Sequence, residues 1–185
     1  MAKTQTRSST DQAPHPFLEK LPGWQPGWDV FLYSVKIVCG KQTETNCCCI
    51  AGTRPGVYAT EVNIHNLNPR PAGILKFLVP LMISGAVVAR EPKVAEPRAG
   101  TEEPVTIPPL GATMDDCCRI LEMLLGGPPS GDTGLTIAML TIWSVEELAV
   151  SAVYTATPLS GNGISIDVEY IPSGRLALRG PGGPG

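Results

Sequence analysis

The stretch that decides the fold is residues 135–171, LTIAMLTIWSVEELAVSAVYTATPLSGNGISIDVEYI. It contains three runs rich in β-branched and apolar residues, namely Leu135–Trp143, Leu148–Thr157 and Ile164–Ile171. The four residues Ser144–Glu147 suit a hairpin connection between the first two runs, and a Gly-Asn-Gly turn precedes the third. In the third run apolar and polar residues alternate, which is the period of a β-strand. This stretch therefore predicts three consecutive antiparallel strands.

Three more strands are predicted upstream. Tyr33–Cys39 and Tyr58–Asn66 alternate apolar with polar residues, and Ile74–Ile83 is almost continuously apolar, as in a strand covered on both faces. Six or more strands with short connections favour two antiparallel sheets packed together. We therefore predict an all-β fold, an antiparallel β-sandwich of about seven or eight strands.

One segment breaks the two-residue period. Thr113–Asp116 followed by CCRILEMLLGG predicts one short helix, with Thr113 and Asp116 as a capping box and Gly126 as the stop. A strand with a bulge is the alternative. The apolar stripe of such a helix suits an open end of the sandwich. The polar, proline-bearing segment 90–103 is predicted to be an exposed loop.

Composition narrows the class of protein. Hydrophobic residues make up 43% of the 185 residues, which permits a core and argues against disorder. The chain has 20 glycines and 19 prolines, and both residues are costly inside helices, so a helical bundle is disfavoured. The formal net charge of −3 gives no electrostatic attraction for nucleic acid or anionic lipid.

Three regions are predicted: a Pro/Trp-containing arm at 1–28, the sandwich at 29–172, and a flexible Gly/Pro-rich tail at 173–185. The polar, proline-rich N-terminus lacks the apolar core of a secretory signal. The longest apolar stretch, 73–89, is shorter than the ~20 residues of a membrane helix. We therefore expect no membrane association, and a protein that is cytoplasmic or assembled without Sec-type export.

Two segments, 56–83 and 134–172, carry a family resemblance. Their recurring elements are YxT at 58–60, NIHN at 63–66, SVEEL at 144–148, VYTA at 153–156 and IDVEY at 166–170. In these elements the chain resembles small bacterial β-sandwich domains of uncharacterised function. A looser likeness is to the self-assembling sandwich subunits of bacterial spore appendages, which use clustered cysteines in an N-terminal arm to join neighbours. The resemblance implies a sandwich and no activity.

The six cysteines allow four interpretations. They are Cys39, the run Cys47, Cys48 and Cys49, and the pair Cys117 and Cys118. They can be small buried residues, or disulfides within or between subunits, with Cys39 facing Cys47 across a hairpin as one option. They can also form a tetrahedral zinc site from Cys39, Cys47, Cys49 and Cys117, although no Cys-x-x-Cys pair is present. The fourth interpretation is a redox or nucleophilic cysteine.

The remaining polar candidates are predicted to be structural. His65 lies at the end of a predicted strand, where hydrogen bonding is the expected role. Asp115 and Asp116 are explained by capping a helix start. The pairs at 102–103 and 146–147 are expected in solvated turns. No nucleophile elbow or phosphate-binding loop is present, so we assign no catalytic residue and no cofactor.

The N-terminal arm carries two of the three tryptophans, in the repeated sequences LPGW and QPGW. A free tryptophan exposes a large apolar area, so Trp24 and Trp28 are predicted to dock, either on this chain's own sandwich or on a neighbouring subunit.

These features together predict a non-enzymatic structural or interaction module that self-assembles into a homo-oligomer or a larger assembly. The predicted interaction residues are Trp24, Trp28, Cys47, Cys48 and Cys49. The alternatives are a cysteine-based metal-binding or redox domain, and a small-ligand-binding accessory domain with its ligand under the 113–125 segment.

Overall fold

A computed structural model describes residues 16–43, 55–129, 133–161 and 163–177. Within these ranges the chain is all-β, with ten strands and a single α-helix, which confirms the predicted fold class. No described helix is long and apolar enough to cross a membrane. The elements are β1 (Val30–Gln42), β2 (Gly56–His65), β3 (Ala72–Ile83), β4 (Ala86–Val87), β5 (Glu103–Ile107), β6 (Ala112–Asp115), α1 (Cys117–Leu125), β7 (Thr136–Ser144), β8 (Ala149–Pro158), β9 (Ser165–Tyr170) and β10 (Gly174–Leu176).

The strands form two antiparallel sheets that share β1. Sheet A has the order β10-β1-β7-β3, with β5 and β4 on the outer side of β3. In sheet B, β2 lies between β8 on one side and β6 with the end of β1 on the other, and β9 is the edge strand beyond β8. The strand β1 passes from sheet A to sheet B at Gly40. This residue has φ +97°, and a Cβ there would lie 2.6 Å from the carbonyl oxygen of Gly134, so the crossing requires glycine.

The core lies between the inner faces of the two sheets, because alternate residues of each strand point inward. The helix α1 covers one end of this core with Ile120 and Leu124. The buried strand residues of the core include Val35, Ile37, Val62, Ile64, Ile74, Leu78, Leu140, Ile142, Val150 and Ala152. The arrangement is therefore a sandwich whose sheets are joined through β1.

One buried polar residue fixes how the strands meet. The Tyr33 hydroxyl donates to the carbonyl oxygen of Leu148 at 3.1 Å and accepts from the Leu148 N–H at 2.7 Å. Burial raises the pKa of Tyr33 to about 12, against the opposing effect of the backbone hydrogen bond. The chain entering β8 is thereby held against β1.

The outer face of sheet A is covered by the N-terminal arm. A short 3-10 helix, Leu18–Lys20, places Leu18 and Leu21 on Leu75 and Phe77, and all four side chains are buried. Phe17 lies 4.6 Å from Phe77 and 5.9 Å from Trp143 between ring centroids. The arm therefore docks on its own sandwich, which is one of the two dockings that the sequence left open.

Gly73→Ala is expected to displace the arm. A Cβ at Gly73 would lie 1.8 Å from the carbonyl oxygen of Pro22, so the arm cannot keep its place on β3. We expect a stability loss of about 1–3 kcal/mol, as for other overpacked sites, and faster tryptic cleavage after the exposed Lys20. Gly127→Ala is the matched control, because nothing lies within 4 Å of a Cβ there. Equal cleavage rates in the two variants would contradict this docking.

All six predicted strands are present, but two sequence-based predictions are wrong in detail. Thr113 belongs to strand β6 rather than to a capping box, because β6 pairs with β2 up to Asp115. The helix is capped by Asp116 instead, whose carboxylate accepts from the Arg119 N–H at 2.9 Å. The tail predicted from residue 173 contributes β10, which pairs with the start of β1. The predicted stop is confirmed: Gly126 ends α1 with φ +77°.

Candidate functional site

An ionic cluster, buried at Lys76 and Asp115, ties both sheets to α1. Lys76 lies on the inner face of β3, is 3% exposed, and stands opposite Glu103 of β5 in the strand register. Its Nζ lies 2.7 Å from Asp115 Oδ1 and 2.8 Å from Glu103 Oε2. Arg119 of α1 binds the other oxygen of Glu103 and lies 3.2 Å from Glu122 Oε2. We call these five residues the Lys76 cluster.

Within the cluster, charges compensate one another. Burial opposes ionisation of Glu103, but Lys76 and Arg119 outweigh it and lower the pKa of this carboxyl. The hydrogen bond that Arg119 donates to Glu103 in turn raises the pKa of Arg119. Asp115 is 1% exposed, and its Oδ2 has no hydrogen-bond partner among the described residues. These contacts form an ion-pair network that joins β3, β5, β6 and α1.

A cleft of about 460 Å³ lies beside the cluster, between the turn before β5 and the C-terminal half of α1. Three carboxylates line it, Glu102, Glu103 and Glu122, against one cation, Arg119. Hydrogen bonds from backbone N–H groups, foremost that of Glu102 itself, and from the Lys20 Nζ at 3.1 Å lower the pKa of Glu102. The C-terminal end of a helix adds partial negative charge. The walls therefore suit a cationic group better than an anionic one.

The structure joins Cys39 and Cys117 in a disulfide, with Cα atoms 5.7 Å apart. The bond connects the fully buried Cys39 of β1 to the first residue of α1. Two of the four candidate zinc ligands are therefore not thiolates, and Cys39 does not pair with Cys47. Cys118 is free and exposed. In the described part of the chain, no three His, Cys, Asp or Glu side chains are grouped to hold a metal ion.

Cys47, Cys48 and Cys49 lie outside the described residues. Of the two tryptophans predicted to dock, Trp24 is partly buried against the cluster that contains Leu18, Leu21, Leu75 and Phe77. Its Nε1 donates to the carbonyl oxygen of Trp28 at 3.3 Å. Trp28 itself is 46% exposed. Trp24 thus docks on its own chain, while Trp28 leaves half of its surface to solvent.

The remaining polar candidates separate into two groups. His65 is exposed at the end of β2, and Glu146 binds Arg70 Nε at 2.8 Å near the β7–β8 turn. Asp115 and Glu103, however, do not have the predicted roles. Asp115 is buried against Lys76 rather than capping α1, and Glu103 begins β5 rather than lying in a solvated turn. Both corrections follow from the pairing of β5 with β3 and of β6 with β2.

The outer face of sheet B is uncovered. Val57 of β2 is 47% exposed, and Ile166, Val168 and Tyr170 of β9 are 65–66% exposed. Every residue of the edge strand β9 is exposed, Asp167 included. The alternation in β9 predicted a strand, but its apolar side faces outward instead of entering the core.

Sequence reasoning missed Lys76, Glu103 and Arg119 as members of one cluster. One signal could have found Lys76: it is the only charged residue in the apolar stretch of β3, Ala72–Ile83, and a buried lysine requires a carboxylate partner. No spacing in the sequence identifies that partner, because Glu103 and Asp115 come from two separate strands.

Comparison with known proteins adds little. No protein-family model and no curated protein matches this chain. The crystal structure of a Thermotoga maritima protein, 1070, is similar at a TM-score of 0.42 and 11% identity, over 80% of this chain and 95% of that one. A similarity this weak carries no conclusion about function.

Proposed function

We propose that this chain is a non-enzymatic interaction module that self-associates into a homo-oligomer. The uncovered outer face of sheet B carries the proposal, since Val57, Ile166, Val168 and Tyr170 expose about half to two-thirds of their surface there. Contiguous apolar patches beyond roughly 300–600 Å² are rare on monomeric soluble proteins and mark interaction sites. The sequence resemblance to self-assembling sandwich subunits points in the same direction.

The contrast between the two outer faces supports the proposal. On sheet A, the arm buries Leu75 and Phe77, so an apolar outer face is covered by the chain itself. On sheet B, no described segment covers the equivalent surface. A non-enzymatic role is supported by the Lys76 cluster, where the buried ammonium is shared between Asp115 and Glu103 and serves the fold.

Light scattering after size-exclusion chromatography tests the proposal. As the concentration of the full chain rises from low to several hundred micromolar, we expect the mass to rise from the 19.5 kDa of one chain toward a dimer or larger species. Apolar burial drives such association, so added salt should weaken the association only a little. Electron microscopy of the same sample identifies rings or filaments. A single 19.5-kDa species at every concentration would contradict self-association.

A further inference from the structure

We propose that β9 takes up an extended basic segment of a partner protein as an additional strand of sheet B. The partner pairs along the free edge of β9, which is the side of this strand that faces away from β8. This interaction goes beyond the proposed self-association and does not depend on it, because the partner is not a second copy of this chain. Two observations carry the proposal: the main chain of β9 is unpaired along this edge, and the carboxylates of β9 lack a counter-charge among the described residues.

The free edge of β9 is the longest edge that the described residues leave. In that part of the chain β9 pairs with β8 alone. It has six residues, whereas the other strands with a single neighbour, β4, β5, β6 and β10, have two to five. Exposed sheet edges bind extended peptides through main-chain hydrogen bonds, and alternate side chains give the specificity.

The hydrogen-bond pattern shows which residues of β9 offer main-chain groups to a partner. The Ile171 N–H donates to the carbonyl oxygen of Val150 at 2.9 Å, in the same register as the β8–β9 ladder. Hydrogen-bonded and non-hydrogen-bonded pairs alternate in an antiparallel ladder. In steps of two from Ile171, the N–H and C=O groups of Glu169 and Asp167 therefore also point toward β8. The groups that point outward along the free edge belong to the intervening residues, Ile166, Val168 and Tyr170.

Asp167 and Glu169 share one side of β9, and we call them the acidic pair. The Tyr154 hydroxyl donates to Glu169 Oε2 at 3.2 Å. Burial, and after it the charges of Glu169 and Asp167, raises the pKa of this tyrosine to about 12. No Lys, Arg or His of the described chain forms an ion pair with either carboxylate. The acidic pair therefore leaves room for a cationic partner.

An antiparallel partner strand brings its own side chains close to the acidic pair. Because the main chain of Asp167 and Glu169 points toward β8, partner residues opposite them occupy non-hydrogen-bonded positions, where side chains approach most closely. Opposite charges at directly facing positions stabilise a strand pair. The partner segment therefore has Lys or Arg at two alternate positions. The residues between them are apolar, because they face Ile166, Val168 and Tyr170, which are 65–66% exposed.

A second copy of β9 does not suit this edge. When two β9 strands pair about a twofold axis, the registers with the greatest overlap are centred on Asp167 or on Val168. The first register places Asp167 opposite its own copy, and the second places it opposite Glu169. Like charges directly opposite each other destabilise a strand pair. The edge therefore selects a basic segment over another copy of itself.

Fluorescence anisotropy with labelled synthetic peptides tests the proposal on the full chain. The probe is a short peptide of alternating lysine and valine. One control peptide replaces each lysine with glutamate. The other keeps the lysines but is N-methylated at the valines, whose amides would face β9. We expect the probe to bind at least about tenfold more tightly than either control peptide.

Two changes in β9 test where the probe binds. Val168→Pro removes an N–H that points outward, and edge strands tolerate proline at such positions. Asp167→Asn with Glu169→Gln removes the charge of the acidic pair. Each change should weaken binding of the probe about tenfold or more. Val168→Ile is the matched control, because it keeps the N–H, and it should leave the affinity unchanged. Circular dichroism verifies that all three variants fold.

Three results would overturn the proposal. If the probe did not bind, or bound no better than the glutamate peptide, the acidic pair would serve only to keep other copies off the edge. Equal binding of the N-methylated peptide would show attraction between charges without a strand pair. Binding that neither Val168→Pro nor the double change weakens would place the peptide elsewhere on the protein. None of these results bears on self-association, which light scattering measures on the chain without peptide.

Discussion

Replacing Lys76 with alanine is expected to lower the free energy of unfolding by about 3–5 kcal/mol, as for other buried ion pairs that lose one partner. The carboxylate of Asp115, 2% exposed, would stay buried without its counter-charge, and Glu103 would keep only Arg119. Because the cluster joins both sheets to α1, the loss should appear as a lower urea midpoint of the whole domain, followed by circular dichroism at neutral pH.

Two further variants separate charge from packing. Lys36 of β1, in the same sheet, is exposed, so Lys36→Ala should change stability by no more than about 0.5 kcal/mol. The double change Lys76→Met with Asp115→Leu removes both charges and should recover most of the loss, since apolar replacement of a buried pair is often neutral. If Lys76→Ala were tolerated as well as Lys36→Ala, the buried pair would not hold the fold together.

The pH dependence of stability should also change in the Lys76→Ala variant. Lys76 and Arg119 lower the pKa of Glu103 in the folded state, so its ionisation stabilises the protein above the unfolded pKa. That stability is lost as the pH falls through the folded pKa. Without Lys76 the pKa of Glu103 is lowered less. The urea midpoint of the variant should therefore fall less steeply on acidification than that of the unchanged protein.

Five of the six strands that were predicted from the sequence bury one or both faces, and β9, whose residues are all exposed, is the exception. The two-residue period of β1 and the apolar run of β3 reflect that burial directly. The strands β5 and β6 were missed because they have only five and four residues, and because Thr113–Asp115 of β6 also resemble the capped start of a helix. They are strands because β3 and β2 offer them free edges, a property of the assembled sheets and not of the segments.

The site was less predictable than the fold, for a similar reason. Composition identified the cysteines, but residue spacing cannot indicate that Cys39 pairs with a residue 78 positions away. The alternation in β9 indicated a strand, yet the sequence does not say whether a second sheet lies over its apolar side. Lys76 was visible as a charge within an apolar run, but its partners depend on tertiary pairing. Properties that need two distant segments were therefore the ones missed.

The largest effect besides Lys76 is expected from Cys117→Ala. The disulfide closes a loop with a sequence separation of 78 residues, and removing a cross-link of that size costs about 4–5 kcal/mol through the entropy of the unfolded chain. The substitution should also loosen the start of α1, since Cys117 is its first residue and accepts the Thr60 N–H at 3.2 Å. Urea unfolding measures the first effect, and amide hydrogen exchange of α1 measures the second.

Cys118→Ala is a close control, because this neighbouring cysteine is free and exposed on the same helix. It should leave stability within about 0.5 kcal/mol of the unchanged protein. A dithiol reductant should then lower the urea midpoint of the Cys118→Ala variant but not that of Cys117→Ala, because only the former retains the bond between β1 and α1. Equal stability of the two variants under oxidising conditions would show that the bond does not hold α1 on the sandwich. The ion pairs of Arg119 and the burial of Ile120 and Leu124 would then suffice to hold it there.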